Sequence, residues 1–215
     1  MVSEGDANCA GDSARAVSLL YGNASVLGVF CAAFTLGGYS GAAASGFSSH
    51  AVALGFGSNA AASGPLGHAV TLSSGWAISG GGNAAALGNG SAVSYGSHGS
   101  AIVQEFGEAY AFGSQGKAVA CSDGGKAFAH GRLAEAIALG ENGEATCGEK
   151  GLAIATGRGG KAKGVKGSWL ILAERDRYER IVSILPVFVD GEAIKADTWY
   201  TLIKGTATEI PADTQ

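Results

Sequence analysis

The sequence lacks several features that would place it in a common class of protein. Among its 215 residues there are only three prolines and one methionine, the four cysteines form no Cys-x-x-Cys pair, and the net charge at pH 7 is only −4. The weak negative charge argues against nucleic-acid binding, and the spread of the cysteines favours reduced thiols, with Cys121 and Cys147 as small core residues. No uncharged segment is apolar enough over about 20 residues to span a bilayer, because glycine and serine interrupt each one.

Charged residues are absent from a long part of the chain. Between Ala16 and Gln104 there is no Asp, Glu, Lys or Arg, whereas charges are frequent from Glu105 onward. An extended uncharged surface of small and apolar residues usually marks an interface. We therefore expect a homo-oligomer, a trimer or another small assembly, that forms through residues 16–104. The alternative is that serine, asparagine, glycine and the backbone make this stretch polar enough for a solvated monomer.

The sequence is rich in a short repeated phrase of glycine and alanine. Glycine accounts for 37 of 215 residues, and an apolar fraction of 47% favours an ordered repeat over disorder. The phrase x-Ala-[Val/Ile/Phe]-Ala-x-Gly recurs every seven to nine residues, which is too short for a helix and its turn but fits a strand and a Gly-rich corner. The lead alanines are Ala16, Ala24, Ala33, Ala42, Ala51, Ala60, Ala69, Ala77, Ala85, Ala92, Ala101, Ala109, Ala118, Ala127, Ala136, Ala145, Ala153 and Ala162.

Alternate copies of the repeated phrase differ in sequence. We therefore predict that each coil contains two strands and that the coils stack into two facing parallel sheets. This is an all-β fold, a two-sheet parallel β-roll or β-solenoid, with about 8–9 residues per strand and turn and about 17 per coil. Eight or nine coils at about 4.8 Å each would give a rod of roughly 40 Å, with corner glycines supplying positive φ.

Strand side chains alternate between two faces, and we predict that the bulky set lies inside the roll. The opposite assignment, with alanines inside a very thin roll, stays open. The residues predicted to be inside are Val52, Leu54, Val70, Leu72, Ile102, Tyr110, Phe112, Val119, Phe128, Ile137, Leu139 and Ile154.

Composition divides the chain into three segments. Residues 1–15 are polar and show no repeat, which predicts a flexible lead-in or a cover for the first coil of the solenoid. Residues 16–167 form the β-roll. Residues 168–215 are β-rich and aromatic, and Asp190-Gly191 is a hairpin signal. Because the last strand of a solenoid has an unpaired edge, we predict that this third segment is a small antiparallel β cap or a docking module.

Two parts of the chain resemble known families. Ala51-Val52-Ala53-Leu54-Gly55, with Ala60-Ala61-Ala62-Ser63-Gly64 nine residues later, resembles the head repeats of trimeric autotransporter adhesins, which are left-handed β-rolls. Residues 168–174 and 189–202 resemble the tail of phage- and prophage-encoded Gly/Ala-repeat proteins of unknown function. The resemblance implies an oligomeric β-roll, associated with a phage or prophage, and supplies no catalytic residue.

Cationic and aromatic residues near the end of the repeat are candidates for binding a host or phage protein. The four cations could instead form a solvated rim beside Glu149 and Glu174. The candidate partner-binding residues are Arg158, Lys161, Lys163, Lys166, Trp169, Trp199 and Tyr200.

His50 and His68 occupy the same place in phrases 18 residues apart, so they should stack. Stacked histidines can ligate a metal, but the sequence shows no third ligand, and solvated corner residues are the alternative. No Ser/His/Asp grouping or pair of carboxylates stands out, and a narrow roll offers no deep pocket.

We therefore expect no enzyme activity, cofactor or metal. The sequence favours a self-associating scaffold or recognition protein, and it has no charged segment followed by an apolar one that would form a secretory signal. The location expected is the host cytoplasm or the virion. The alternatives are an anti-defence inhibitor, which would bind a host protein or nucleic-acid machine through the charged half and the cap, and an adhesin.

Overall fold

The computed structural model describes Val2, Ser3 and residues 5–211, and every regular element in this part of the chain is a β-strand. The first twelve strands are β1 Val2–Ser3, β2 Ala7–Ala10, β3 Arg15–Leu19, β4 Ala24–Leu27, β5 Ala32–Leu36, β6 Gly41–Ser45, β7 His50–Ala53, β8 Asn59–Ser63, β9 His68–Thr71, β10 Gly75–Ser79, β11 Ala84–Ala86 and β12 Gly90–Ser94. The others are β13 Ser100–Val103, β14 Glu108–Ala111, β15 Lys117–Ala120, β16 Lys126–Ala129, β17 Glu135–Ala138, β18 Glu144–Cys147, β19 Leu152–Ala155, β20 Lys161–Gly164, β21 Trp169–Arg175, β22 Ile181–Phe188, β23 Tyr200–Ile203 and β24 Thr206–Glu209.

The strands form two stacked sheets, which confirms the predicted two-sheet β-solenoid. The odd-numbered strands from β1 to β21 pair in parallel as sheet A, and the even-numbered strands from β2 to β20 pair in parallel as sheet B. Each coil contributes one strand to each sheet. At the C-terminal end the pairing becomes antiparallel: β22 completes sheet A beside β21, and β23 and β24 complete sheet B beside β20.

The solenoid begins within residues 1–15, where the sequence predicted a lead-in or a cover. Strand β2 pairs in parallel with β4, with Ala7 opposite Ala24, and β1 pairs with β3. The strands β1 to β20 therefore make ten coils rather than eight or nine. The repeat is hard to recognise here because Asn8 and Cys9 replace the bulky residue and the second alanine of the phrase.

Small side chains fill the space between the sheets, so the predicted burial of the bulky residues is wrong. Ala51 and Ala53 are 0% exposed, whereas Val52 between them lies on the outer face. Corners of only a few residues hold the two sheets close together, and a tightly packed interior of that thickness is filled mostly by alanine, with single larger side chains such as Val26 and Val103. The residues that lie on outer faces instead of inside are Val52, Leu54, Val70, Leu72, Ile102, Tyr110, Phe112, Val119, Phe128, Ile137, Leu139 and Ile154.

One lead alanine also differs from the prediction. Ala84, not Ala85, pairs with Ala69 and Ala101 and lies in the interior, and Ala85 faces outward between Val70 and Ile102 in the register. Three successive alanines at 84–86 look alike, so the sequence does not show which of them faces inward.

The corners need glycine mainly because successive coils approach closely. A Cβ atom added to Gly55 would lie 1.5 Å from the carbonyl oxygen of Gly37 in the preceding coil. Positive φ is a separate requirement, met by Gly124 at +64° but also by Phe30 and Tyr39, both at 56°. The expectation that corner glycines supply positive φ therefore holds at only some of the corners.

The interior contains larger side chains where the antiparallel strands close the solenoid. Leu170 and Leu172 of β21 are 0% exposed, and Tyr200 and Leu202 of β23 are buried opposite them. The carboxylate of Glu174 accepts hydrogen bonds of 2.9 Å from two backbone N–H groups in the turn between β23 and β24, which ties this hairpin to β21.

Candidate functional site

An apolar column runs along the outer face of sheet A. It consists of the middle outward-facing residue of each strand, and the strand register aligns these residues one above another. Its residues are Val17, Phe34, Val52, Val70, Ala85, Ile102, Val119, Ile137, Ile154 and Ile171.

A second column lies beside the first, one outward-facing position further along each strand. The N–H of Leu54 donates to the Thr35 carbonyl at 3.0 Å, and that of Leu72 donates to the Ala53 carbonyl at 3.2 Å, so the leucines stack in register. Leu36 and Leu72 are 49% and 48% exposed. This leucine column consists of Leu19, Leu36, Leu54, Leu72 and Leu87.

The two columns together, called the apolar face here, are not confined to the uncharged stretch. Beyond residue 104 the apolar column continues through Val119, Ile137 and Ile154. On β15 and β17 the charges lie at the first strand position, where Lys117 and Glu135 form a 3.1 Å ion pair. The apolar column therefore runs from β3 to β21, beyond the residues 16–104 in which the sequence predicted the interface.

The outer face of sheet B differs along its length. Its middle positions are small near the N-terminus, as at Ser25, Ala43 and Ala61, and become aromatic at Tyr110 and Phe128. The latter two rings are stacked, with centroids 4.9 Å apart. A parallel stack in the next column comprises Tyr95, Phe112 and His130, with centroid distances of 5.2 and 5.4 Å.

A ladder of alternating charges borders the aromatic rings of sheet B. Glu108, Lys126, Glu144 and Lys161 are consecutive partners in the register. Lys126 Nζ lies 3.7 Å from Glu108 and 4.0 Å from Glu144, and Lys161 Nζ lies 3.0 Å from Glu144. Opposite charges directly across neighbouring strands stabilise a sheet modestly. These charges neutralise one another, so this face presents little net charge.

The seven candidate partner-binding residues do not form one patch. Lys161 and Lys163 lie together on the outer face of sheet B, with their Nζ atoms 5.1 and 4.6 Å from the centre of the Trp199 ring. Arg158 lies in a corner, where it forms ion pairs with Glu141 at 2.6 Å and with Glu179 at 3.3 Å. The hydrogen bond to Glu141 and the two carboxylate charges raise the pKa of the Arg158 guanidinium.

The other three candidates lie apart from these. Lys166 is exposed in the opposite corner, and Trp169 is half-exposed on sheet A, with its ring centroid 5.3 Å from that of Phe188. The Tyr200 side chain is buried, and its hydroxyl oxygen accepts a hydrogen bond of 2.9 Å from the Lys195 N–H. Their role in binding a partner stays a prediction.

The predicted stacking of His50 and His68 is confirmed. The two ring centroids are 5.1 Å apart with an angle of 11° between the planes. Desolvation, and then the charge of His50, lower the pKa of His68. In the described part of the chain no three His, Cys, Asp or Glu side chains come together as a metal site.

All four cysteines are free thiols in the structure. Cys147 lies in the interior as predicted, and desolvation raises the pKa of its thiol to about 11. Cys121 instead lies partly exposed on the outer face of sheet A, where its N–H donates to the Val103 carbonyl. Because a thiol reacts as its thiolate, Cys147 should react far more slowly than an exposed cysteine.

Comparison with models of protein families, with curated proteins and with solved structures found no significant match. The described part of the chain contains no helix with the length and apolar character of a membrane span. The candidate function therefore follows from the surfaces of the solenoid itself.

Proposed function

We propose that this protein is a non-catalytic scaffold or recognition protein, associated with a phage or prophage, whose copies associate through the apolar face. The observation that carries the proposal is the apolar column, which runs on the outside of sheet A from Val17 to Ile171. Monomeric proteins rarely expose a contiguous apolar surface of this length, and such surfaces usually mark an interface.

The size of the apolar face supports this proposal. With strands about 4.8 Å apart and residues about 3.3 Å apart along them, ten strands and three outward positions cover about 48 Å by about 16 Å, roughly 800 Å². The three positions are the two columns of the apolar face and the first strand position that borders them. One partner in a stable protein interface typically buries about 800 Å². The apolar face with this border is therefore large enough for one copy of the chain to bind another.

The shape of the face also suits a second copy. Two flat β-sheets can pack face to face about 10 Å apart, and a surface that meets a copy of itself must be self-complementary. A row of uncharged apolar side chains can pack against a copy of itself whether the two rods run parallel or antiparallel. Sheet B is less suitable, because its outer face carries the charge ladder and, beside it, the cation Lys163.

The other parts of the proposal have separate support. The phage or prophage association is supported by the resemblance of residues 168–174 and 189–202 to the tails of such proteins. The non-catalytic role is supported by the interior, where residues such as Ala118 and Ala136 fill the space between the sheets at 0% exposure.

The proposal is tested by measuring the mass of the protein in solution by sedimentation velocity. We expect an oligomer at micromolar concentration, and we expect that Val52→Lys, in the middle of the apolar face, weakens association at least about tenfold. The matched control is Ala61→Lys on the outer face of sheet B, which should leave association unchanged. A wild-type protein that is monomeric at high concentration, or equal effects of the two variants, would contradict the proposal.

A further inference from the structure

The stacked histidines lie at the border of the apolar face. His50 and His68 are the first residues of β7 and β9, and they are register partners just as Val52 and Val70 are, two residues further on. Residues two apart on a strand share a face, so both imidazoles project on the same side as the apolar column. A second copy bound to this face would cover them together with the valines.

The surroundings of the two imidazoles provide no negative charge. At the position equivalent to the two histidines on the neighbouring strands, β5 begins with Ala32, and Asn83 directly precedes β11. The corners before the two histidines expose Phe47 and Leu66. No Asp, Glu, Lys or Arg occurs between Ala16 and Gln104, so no carboxylate from β5, β7, β9 or β11 faces the pair.

Other groups in these elements that can gain or lose a proton are few. The thiol of Cys31, in the corner before β5, is buried and directed to the carbonyl oxygens of Gly11 and Val29. His98 lies in the corner between β12 and β13, outside these four strands. Within these four strands, the two imidazoles are therefore the ionisable side chains on this face.

We propose that His50 and His68 make self-association sensitive to pH, so that copies bind at neutral pH and separate when the pair is protonated in mild acid. This inference rests on the proposed function. Burying a positive charge without a partner is costly, and the second proton would be added about 5.1 Å from the first. Protonation would thus put two like charges into an interface of valine and leucine side chains.

The shift in the pKa of His68 has the direction that this proposal requires. The pKa of His68 is lowered, because burial and the charge of His50 both disfavour its protonated form. A histidine whose pKa is lowered is neutral at pH 7 and takes up its proton only below the usual histidine pKa of about 6.5. A second copy that covers the rings would lower the pKa further, so that release of the copy and uptake of the protons are linked.

The experiment measures the dissociation constant by sedimentation velocity at about pH 7.5 and about pH 5.5, a range in which histidine titrates and most carboxylates stay ionised. For the wild-type protein we expect the constant to rise at least about tenfold at the lower pH. The double variant His50→Gln/His68→Gln should change less than about threefold. The control His130→Gln, on the outer face of sheet B, should keep the full response.

Each result has a distinct meaning. A wild-type protein that associates equally tightly at both pH values overturns the pH inference and leaves the proposed function intact, whereas a monomer at every pH overturns both. A double variant that responds like the wild type assigns the effect to other groups and also overturns the inference. Circular dichroism establishes that the variants are folded, and the single variant His50→Gln, at an exposed position, should lose part of the response.

Discussion

The phenolic hydroxyl of Tyr110 donates a hydrogen bond to Oε2 of Glu108, two residues earlier on β14. Desolvation, followed by this hydrogen bond and the Glu108 charge, raises the pKa of Tyr110 to about 12. A raised pKa means that the neutral phenol stabilises the fold below about pH 10 and that this contribution is lost as the pH rises from 10 to 12. The difference in phenolate absorbance between the wild type and Tyr110→Phe should titrate with a midpoint near 12.

The variant Glu108→Gln separates the causes of this shift. Removing the carboxylate charge should lower the pKa of Tyr110, but desolvation is the larger cause, so the midpoint should stay above 10. A difference titration centred at the ordinary tyrosine value in both backgrounds would contradict the interaction between Tyr110 and Glu108.

A second prediction concerns a hydroxyl in the alanine interior. Thr71 Oγ1 is buried without a hydrogen-bond partner, and Thr71 is 1% exposed. Thr71→Val keeps the shape and removes the unpaired hydroxyl, so the free energy of unfolding should rise by about 1 kcal/mol. Urea unfolding measures this change.

Ser79 provides the matched contrast, because its buried hydroxyl is fully used. Ser79 Oγ donates to the Gly67 carbonyl at 2.6 Å and accepts from the Gly82 N–H at 2.9 Å. Ser79→Ala leaves both backbone groups without this partner and should lower the free energy of unfolding by about 1–3 kcal/mol. If both variants changed stability in the same direction, hydrogen bonding would not be what distinguishes these two sites.

A third prediction separates the two roles of corner glycines. A Cβ at Gly55 would meet the backbone of Gly37, so Gly55→Ala should cost about 3 kcal/mol or more in urea unfolding. Gly124 has a φ of +64° but open space where its Cβ would be. Because asparagine tolerates positive φ, Gly124→Asn should be nearly neutral. Similar costs for the two variants would contradict close approach as the reason for glycine at position 55.

The sequence predicts which residues share a face but not which face lies inside. A spacing of seven to nine residues and an alternation of two place Ala51 with Ala53 and set Val52 apart. The distance between the sheets then decides which set is buried, and that distance depends on corner geometry that the repeat does not reveal. The same holds for the run 84–86, where identical side chains conceal the register.

The candidate residues of the last coil show a related limit. Arg158, Lys163 and Lys166 are close in sequence, but one coil takes the chain through a corner, across sheet B and through the opposite corner within these few positions. Residues that are close in sequence therefore lie on different sides of the rod. Nearness in space follows the coil period instead, as for Glu144 and Lys161 in the charge ladder.

The last prediction tests how far the interface extends. Ile137 belongs to the apolar column but lies outside residues 16–104, on β17, between Val119 and Ile154 in the register. If the whole apolar face is covered by a second copy, Ile137→Lys places a charge in the interface and should weaken association at least about tenfold in sedimentation velocity. The control Ser114→Lys, at an exposed corner of the same half, should have no effect. Association that is unchanged by Ile137→Lys but lost in Val52→Lys would confine the interface to the uncharged half.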